Sequence, residues 1–158
     1  MFCVGDKIVH PMHGAGVIES IVEQRVEGTV REYYVLKMPV MGMMVMIPIH
    51  STAEIGVRAI IDGDAAEALI LSMGGLEIDA TPNWNRRYRE NMMRIKSGDL
   101  AEVARVVKSL MARENQRGLS TGERKMLHSA KQILISEIVL AQSADYDVVE
   151  KRITLALA

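Results

Sequence analysis

Apolar and polar positions change their period once along the chain, close to residue 60. Over residues 5–50, short runs rich in Val, Ile and Tyr are cut by Gly and Pro, the pattern of strands and turns. It predicts strands over 6–10, 16–25, 29–38 and 43–50, with hairpin turns near Glu27-Gly28 and around Val40-Met41-Gly42. A last short strand is predicted over 54–57. Four or five such strands suit a small antiparallel barrel, which buries one face while limiting open edges.

Beyond residue 60 the apolar positions recur every three to four residues, and about five helices are predicted. Asp62 and Asp64 open the first, which Gly74-Gly75 closes. The second starts at Thr81-Pro82-Asn83, with either Thr81 or Asn83 as its cap, and ends at Ser97-Gly98. Asp99 followed by Glu102 begins the third, which Gly118 stops, and Ser120-x-x-Glu123 has the spacing of a capping box for a long fourth. A fifth starts near Asp145. The class is therefore α+β: an N-terminal β module over 1–55 and an all-α module over 60–158, joined by a short connection.

A chain of 158 residues with 49% hydrophobic and 25% charged side chains buries a core and is too short for a large multidomain enzyme. No apolar run approaches membrane-spanning length, and no membrane partner is expected. The first residues show no secretory pattern and Cys3 is the single cysteine, so a cytoplasmic location is expected. The net charge of -1 argues at first against a polyanion partner, but the charges are uneven. Residues 84–131 hold twelve Lys and Arg against five Asp and Glu, a net +7, between flanks of -6 and -2. Such asymmetry marks either a solvated basic face or a polyanion-binding surface.

Catalytic chemistry is sparse. There is no phosphate-binding Gly-rich loop with a following Lys-Ser/Thr and no Gly-x-Ser-x-Gly turn. His10-x-x-His13, with His50 as a distant third, lacks the Cys or carboxylate cluster that completes a metal site. The expectation is a protein that is not an enzyme, with no cofactor and no small-molecule substrate.

Two signals point to binding instead. Met38, Met41, Met43, Met44 and Met46 crowd into nine residues. Folding a hairpin about residue 41 opposes Leu36 to Met46, Met38 to Met44 and Tyr34 to Pro48. The other face then carries Val35, Val45, Ile47 and Ile49. A small barrel has one interior, so one of these apolar faces is left for the helical module or for a partner, and Leu36, Met46 and Pro48 form the candidate docking face. The second signal is Trp84, the only tryptophan, in the first turn of a helix and followed by Arg86, Arg87, Tyr88 and Arg89. Helical spacing aligns it with Tyr88, Met92 and Ile95 as a core anchor. Its place at a helix tip among arginines equally suits an apolar wedge for a DNA minor groove. Arg124 and Lys125 place further charge at the start of another helix and suit successive phosphates. No Asn or Gln sits where it would read base edges, so recognition is expected to be largely independent of sequence.

Several motifs, in order along nearly the whole chain, resemble the CarD/CdnL family of bacterial transcription regulators. They are Val4-Gly5-Asp6-x-Ile8-Val9-x-Pro11-x-His13-Gly14, Tyr34-Val35-Leu36-Lys37, Ile47-Pro48, Asn83-Trp84-x-Arg86-Arg87-Tyr88, Ser97-Gly98-Asp99 and Arg117-Gly118-Leu119-Ser120-x-Gly122-Glu123. The resemblance implies a Tudor-like N-terminal domain that docks on the RNA polymerase β subunit and a helical domain that contacts promoter DNA beside the melted region. It implies Trp84 as a wedge that stabilises the open complex, with Arg86, Arg87, Arg89, Arg124 and Lys125 on the DNA, Leu36, Met46 and Pro48 on the polymerase, and a nucleoid-associated location. The rival expectation is an adaptor whose basic helices bind RNA or an acidic protein.

Overall fold

The computed structural model describes residues 1–158. Five antiparallel strands, β1 (Lys7–His10), β2 (Gly14–Val26), β3 (Thr29–Met38), β4 (Met43–Pro48) and β5 (Arg58–Ala59), form one sheet in the order β4-β3-β2-β1-β5. Ile8, Ile18, Tyr34, Leu36, Met38 and Ile47 fill its interior. Gly16 lies where a Cβ would come within 2.5 Å of the Lys37 carbonyl and 2.8 Å of the Leu36 side chain, so only glycine lets β2 and β3 close over that core. β4 and β5 share no ladder, and the barrel expected from strand number is open between them.

Two expectations for this half are corrected. Residues 54–57 are not a strand. After a turn at Ile49–Ser51 the chain forms a short helix, α1 (Thr52–Ile55), which Gly56 ends in the left-handed region at φ 91°. The last strand is displaced to Arg58–Ala59, beyond a module boundary at 55, because it needs β1 as its partner and carries no pattern of its own. The β3–β4 register also differs from a fold about residue 41. The observed pairs are Tyr34 with Ile47, Val35 with Met46, Leu36 with Val45 and Met38 with Met43. Gly42, at φ 64°, donates its N–H to the Met38 carbonyl and closes a four-residue connection, which shifts β4 by one position. A one-residue slip exchanges faces. Leu36 is accordingly 0% exposed in the core, whereas Met46 is 40% exposed and Pro48 half-buried on the outer face. Leu36 is thus removed from the docking face, and Val35 replaces it there opposite Met46.

The helical half comprises α2 (Gly63–Ser72), α3 (Trp84–Lys96), α4 (Leu100–Arg117), α5 (Thr121–Gln142) and α6 (Tyr146–Leu157). Each starts on a side-chain cap: Asp62, Asn83, Asp99, Ser120 and Asp145 accept from backbone N–H groups at 2.7 to 3.3 Å. Such caps contribute about 1 kcal/mol each. Asn83, not Thr81, caps α3. Val103, Val107 and Leu110 of α4 and Ala130, Leu134 and Ile138 of α5 centre a separate core, against which α6 places Val149, Ile153 and Leu157.

α5 joins the two halves. The Ala15 N–H donates to Ser136 Oγ at 3.0 Å, and Gly14 has no room for a Cβ, which would lie 2.6 Å from that oxygen. Arg58 grips Glu137 with two guanidinium nitrogens at 2.7 and 2.8 Å, and the Ile61 N–H adds a third bond at 2.9 Å. The Glu137 side chain is fully buried. The link before α3 is held by Asp79, which accepts from the Thr81 hydroxyl and N–H and from Arg94. Burial pulls the Asp79 carboxyl up, but those bonds outweigh it and hold its pKa at about 2.

Glu137→Ala leaves the Arg58 charge and the Ile61 N–H without their partner and is expected to destabilise the fold by about 3 kcal/mol, measured by urea unfolding. Asp79 has a folded pKa below its unfolded value, so its contribution is complete above about pH 4 and is lost as the pH falls toward 2. The loss should reach about 2 kcal/mol in acid unfolding curves, and Asp79→Asn should remove that part of the pH dependence.

Candidate nucleic-acid interface

The starts of α3 and α5 meet. Trp84, the first residue of α3, stacks on Tyr88 with ring centroids 5.0 Å apart and planes at 18°, and its indole N–H donates to Ser120 Oγ at 3.0 Å. Ser120 also caps α5 by accepting the Glu123 N–H at 3.2 Å. One hydroxyl therefore fixes both a helix start and the orientation of the tryptophan. Trp84 remains 42% exposed, while Tyr88 and Met92 behind it are half-buried and Ile95 is buried. The far end of this stripe enters the core and its tip, Trp84, stays part-exposed.

The arginines that follow divide by helix phase. Arg86 and Arg89 are exposed; Arg86 pairs with Glu90 at 2.9 Å and Arg89 has no acid partner. Arg87 is 3% exposed and corrects the expectation of a DNA contact. Its Nε and Nη2 donate to Glu123 at 2.8 and 3.0 Å, and its Nη1 donates to the carbonyls of Thr81 and Pro82. The pair is mutually stabilised: Glu123 raises the Arg87 pKa, and Arg87 lowers that of Glu123 against the opposing effect of burial. Glu123 therefore does not reach back to complete the capping box read from its spacing. It locks α3 to α5 beneath the tryptophan.

The fully buried side of α3 is Arg87, Asn91 and Ile95, a stripe that hydropathy conceals because two of its members are polar. Asn91 Oδ1 accepts from Arg94, while its Nδ2 is buried without a partner.

Arg124 and Lys125, in the first turn of α5, are exposed and free of acid partners. The structure thus brings Trp84 against the start of α5, which bears Arg124 and Lys125, while Arg86 and Arg89 are exposed on the first two turns of α3. The basic segment is also sorted. Arg94 pairs with Asp79 and Glu102, and Arg105 with Glu102. Lys108 is buried, donating to the carbonyls of Met73, Gly74 and Leu76, a structural role that its spacing did not signal. Arg89, Lys96, Arg113, Arg117, Arg124, Lys125 and Lys131 remain without an acid partner.

On the sheet, Met44 and Met46 are 57% and 40% exposed on β4, the terminal strand. Tyr33, Val35 and Pro48 flank them, half-buried on the same face. The expected register already places Met44 on the face of Met46 and Pro48, opposite Met38; the structure keeps it on that face, opposite Lys37. The His10 and His13 rings lie 4.4 Å apart, and His10 Nδ1 accepts the Met12 N–H at 3.1 Å, so His10 serves the turn. Burial, reinforced by His13, lowers the His10 pKa. No third potential ligand joins the pair.

Residues 2–61 match the family model for the CarD-like/TRCF RID domain, and residues 69–154 match that for the CarD C-terminal domain. The chain is 38% identical over 138 residues to the "Putative transcription factor YdeB" of Bacillus subtilis (strain 168), a match covering 87% of this chain and 90% of that protein. Sheet half and helical half each match their own model, in the order found in the structure, and the chain belongs to the CarD/CdnL family of transcription regulators.

Proposed function

We infer that the protein, a family member and so a transcription regulator that interacts with RNA polymerase and not an enzyme, works through two contacts, one on the polymerase and one on DNA. We propose that it docks on the polymerase β subunit through β4 and stabilises the open promoter complex with Trp84. The observation that carries this reading is the tethered, part-exposed indole at the tip of α3, with exposed cations on both adjoining helices, Arg86 held by Glu90 and Arg89, Arg124 and Lys125 without an acid partner. An apolar ring inserted at a base step must offset a few kcal/mol of unstacking. The ring is preorganised by Tyr88 and Ser120, so little rotamer freedom is lost on insertion. Arg86, Arg89, Arg124 and Lys125 are assigned to the DNA backbone, where they position the wedge without reading sequence.

Docking supplies the rest. The outer face of β4, with Met44, Met46 and Pro48, offers adaptable apolar contacts beside a free strand edge, which suits addition of a partner strand. Tethering raises the local concentration of a weak DNA grip. The clamp of Arg58 on Glu137 carries the geometry from the docking strand to the wedge. This reading places the protein in the cytoplasm on the nucleoid.

Trp84→Ala should leave polymerase binding intact and shorten open-complex lifetime about tenfold, the worth of one stacked base, in a promoter-dissociation assay. An unchanged lifetime removes the wedge. Met46→Asp should weaken binding to the isolated β lobe without lowering the melting temperature, whereas Leu36→Asp should unfold the sheet. Replacing Arg124 and Lys125 by Glu should weaken duplex binding and flatten its salt dependence. Equal loss toward RNA or an acidic peptide would favour the adaptor reading.

A further inference from the structure

A polar cavity of about 220 Å³ lies between the link that precedes α3 and the C-terminal half of α4. Arg87, Arg113 and Arg117 line it together with Ser109, Gln116 and Asp79. Its charges do not balance. Glu123 neutralises Arg87, and the one acid in the lining, Asp79, is taken by Arg94 and Thr81. Arg113 and Arg117 form no ion pair and no hydrogen bond within the fold, although Arg113 is near enough to Glu123 to help lower its pKa. They stand one turn apart on the same face of α4, where like charges destabilise a helix. Cations near a helix C-terminus do complement its dipole. That effect accounts for one basic residue by the last carbonyls, not for two that line a concave polar cavity beside a third arginine.

The unspent groups facing this space are donors. Ser109 accepts the Asp79 N–H at 2.9 Å and donates its own proton to nothing in the fold, and the Gln116 amide is free. Two guanidinium forks with neutral donors between them match the oxygens of a phosphoryl group. The volume is below the roughly 300 Å³ at which pockets begin to enclose a drug-sized molecule, so it suits one or two phosphoryl groups and not an attached base and sugar.

We propose that this cavity is a phosphoryl-binding site in which Arg113 and Arg117 grip the oxyanion and Ser109 and Gln116 complete its hydrogen bonding. The group comes either from a duplex backbone or from a free oligophosphate. In the first case the DNA surface extends past Pro82 on the side of α3 away from Trp84. The assignment does not depend on the docking or wedge readings, because it can be tested on the chain alone.

Titration of the full chain with sodium pyrophosphate at low ionic strength, followed by amide NMR and calorimetry, reads the site directly. Saturable shifts should centre on residues 109–117. Affinity should fall about tenfold in R113Q or R117Q, the worth of a charge-assisted hydrogen bond, and vanish in the double variant. K96Q, at an exposed lysine outside the cavity, should bind pyrophosphate as the parent does, and thermal melting checks that each variant keeps its fold. Absence of a saturable shift, or shifts that persist in R113Q/R117Q, overturns the proposal. Adding a fork-junction duplex separates the two sources. Displacement of pyrophosphate, with the salt slope of duplex affinity reduced by about one per arginine removed, assigns the site to backbone phosphate. Pyrophosphate binding that survives saturating duplex assigns it to a free oligophosphate.

Discussion

A carboxylate buried in the middle of a helix sets the architecture. Glu137 lies on α5 with its side chain out of water, a position costly for a charge unless its oxygens are satisfied. Both oxygens are taken by Arg58, and one also accepts the Ile61 N–H. Those partners belong to the last strand of the sheet and to the segment leaving it. The helical half therefore completes its central helix only with the sheet half in one orientation. Ser136, one residue earlier, adds a hydrogen bond to the Ala15 N–H at the close approach that Gly14 permits. These polar contacts join two cores that share no buried residue.

The same device recurs at the functional end. Arg87 and Glu123 form a buried pair between α3 and α5, and the arginine also gathers the carbonyls of Thr81 and Pro82. Removing either partner would strand a buried charge, so the pair specifies how the two helix starts meet. Trp84 then has a defined place: stacked on Tyr88, tethered to Ser120 and open to solvent on the side that remains. A charge that composition groups with the exposed arginines is used to fix the place of an apolar ring, while Arg86 and Arg89 beside it stay exposed.

Much of this was legible locally. Cap residues at 62, 99, 120 and 145, the stops at Gly98 and Gly118 and the change of period near residue 60 follow from short-range chemistry, and they reappear in the structure. The misreadings were questions of phase. Leu36 was assigned outward because a turn about residue 41 and a turn closed by Gly42 differ by one position, and that difference exchanges faces. Arg87 was grouped with Arg86 and Arg89 because composition does not distinguish a solvated arginine from one whose partner lies 36 residues away.

Sequence alone determined the four longer strands and five of the six helices, where most of those helices begin, and that positive charge is concentrated after the tryptophan. Those properties rest on propensity, capping and composition, which act within a few residues. Tertiary structure decided which arginines face water, which methionines remain on the outer face of β4, and that the two halves hold a fixed relation. Each of these depends on a partner distant in the chain, since burial of a charged or apolar group is governed by what packs against it and not by its own identity.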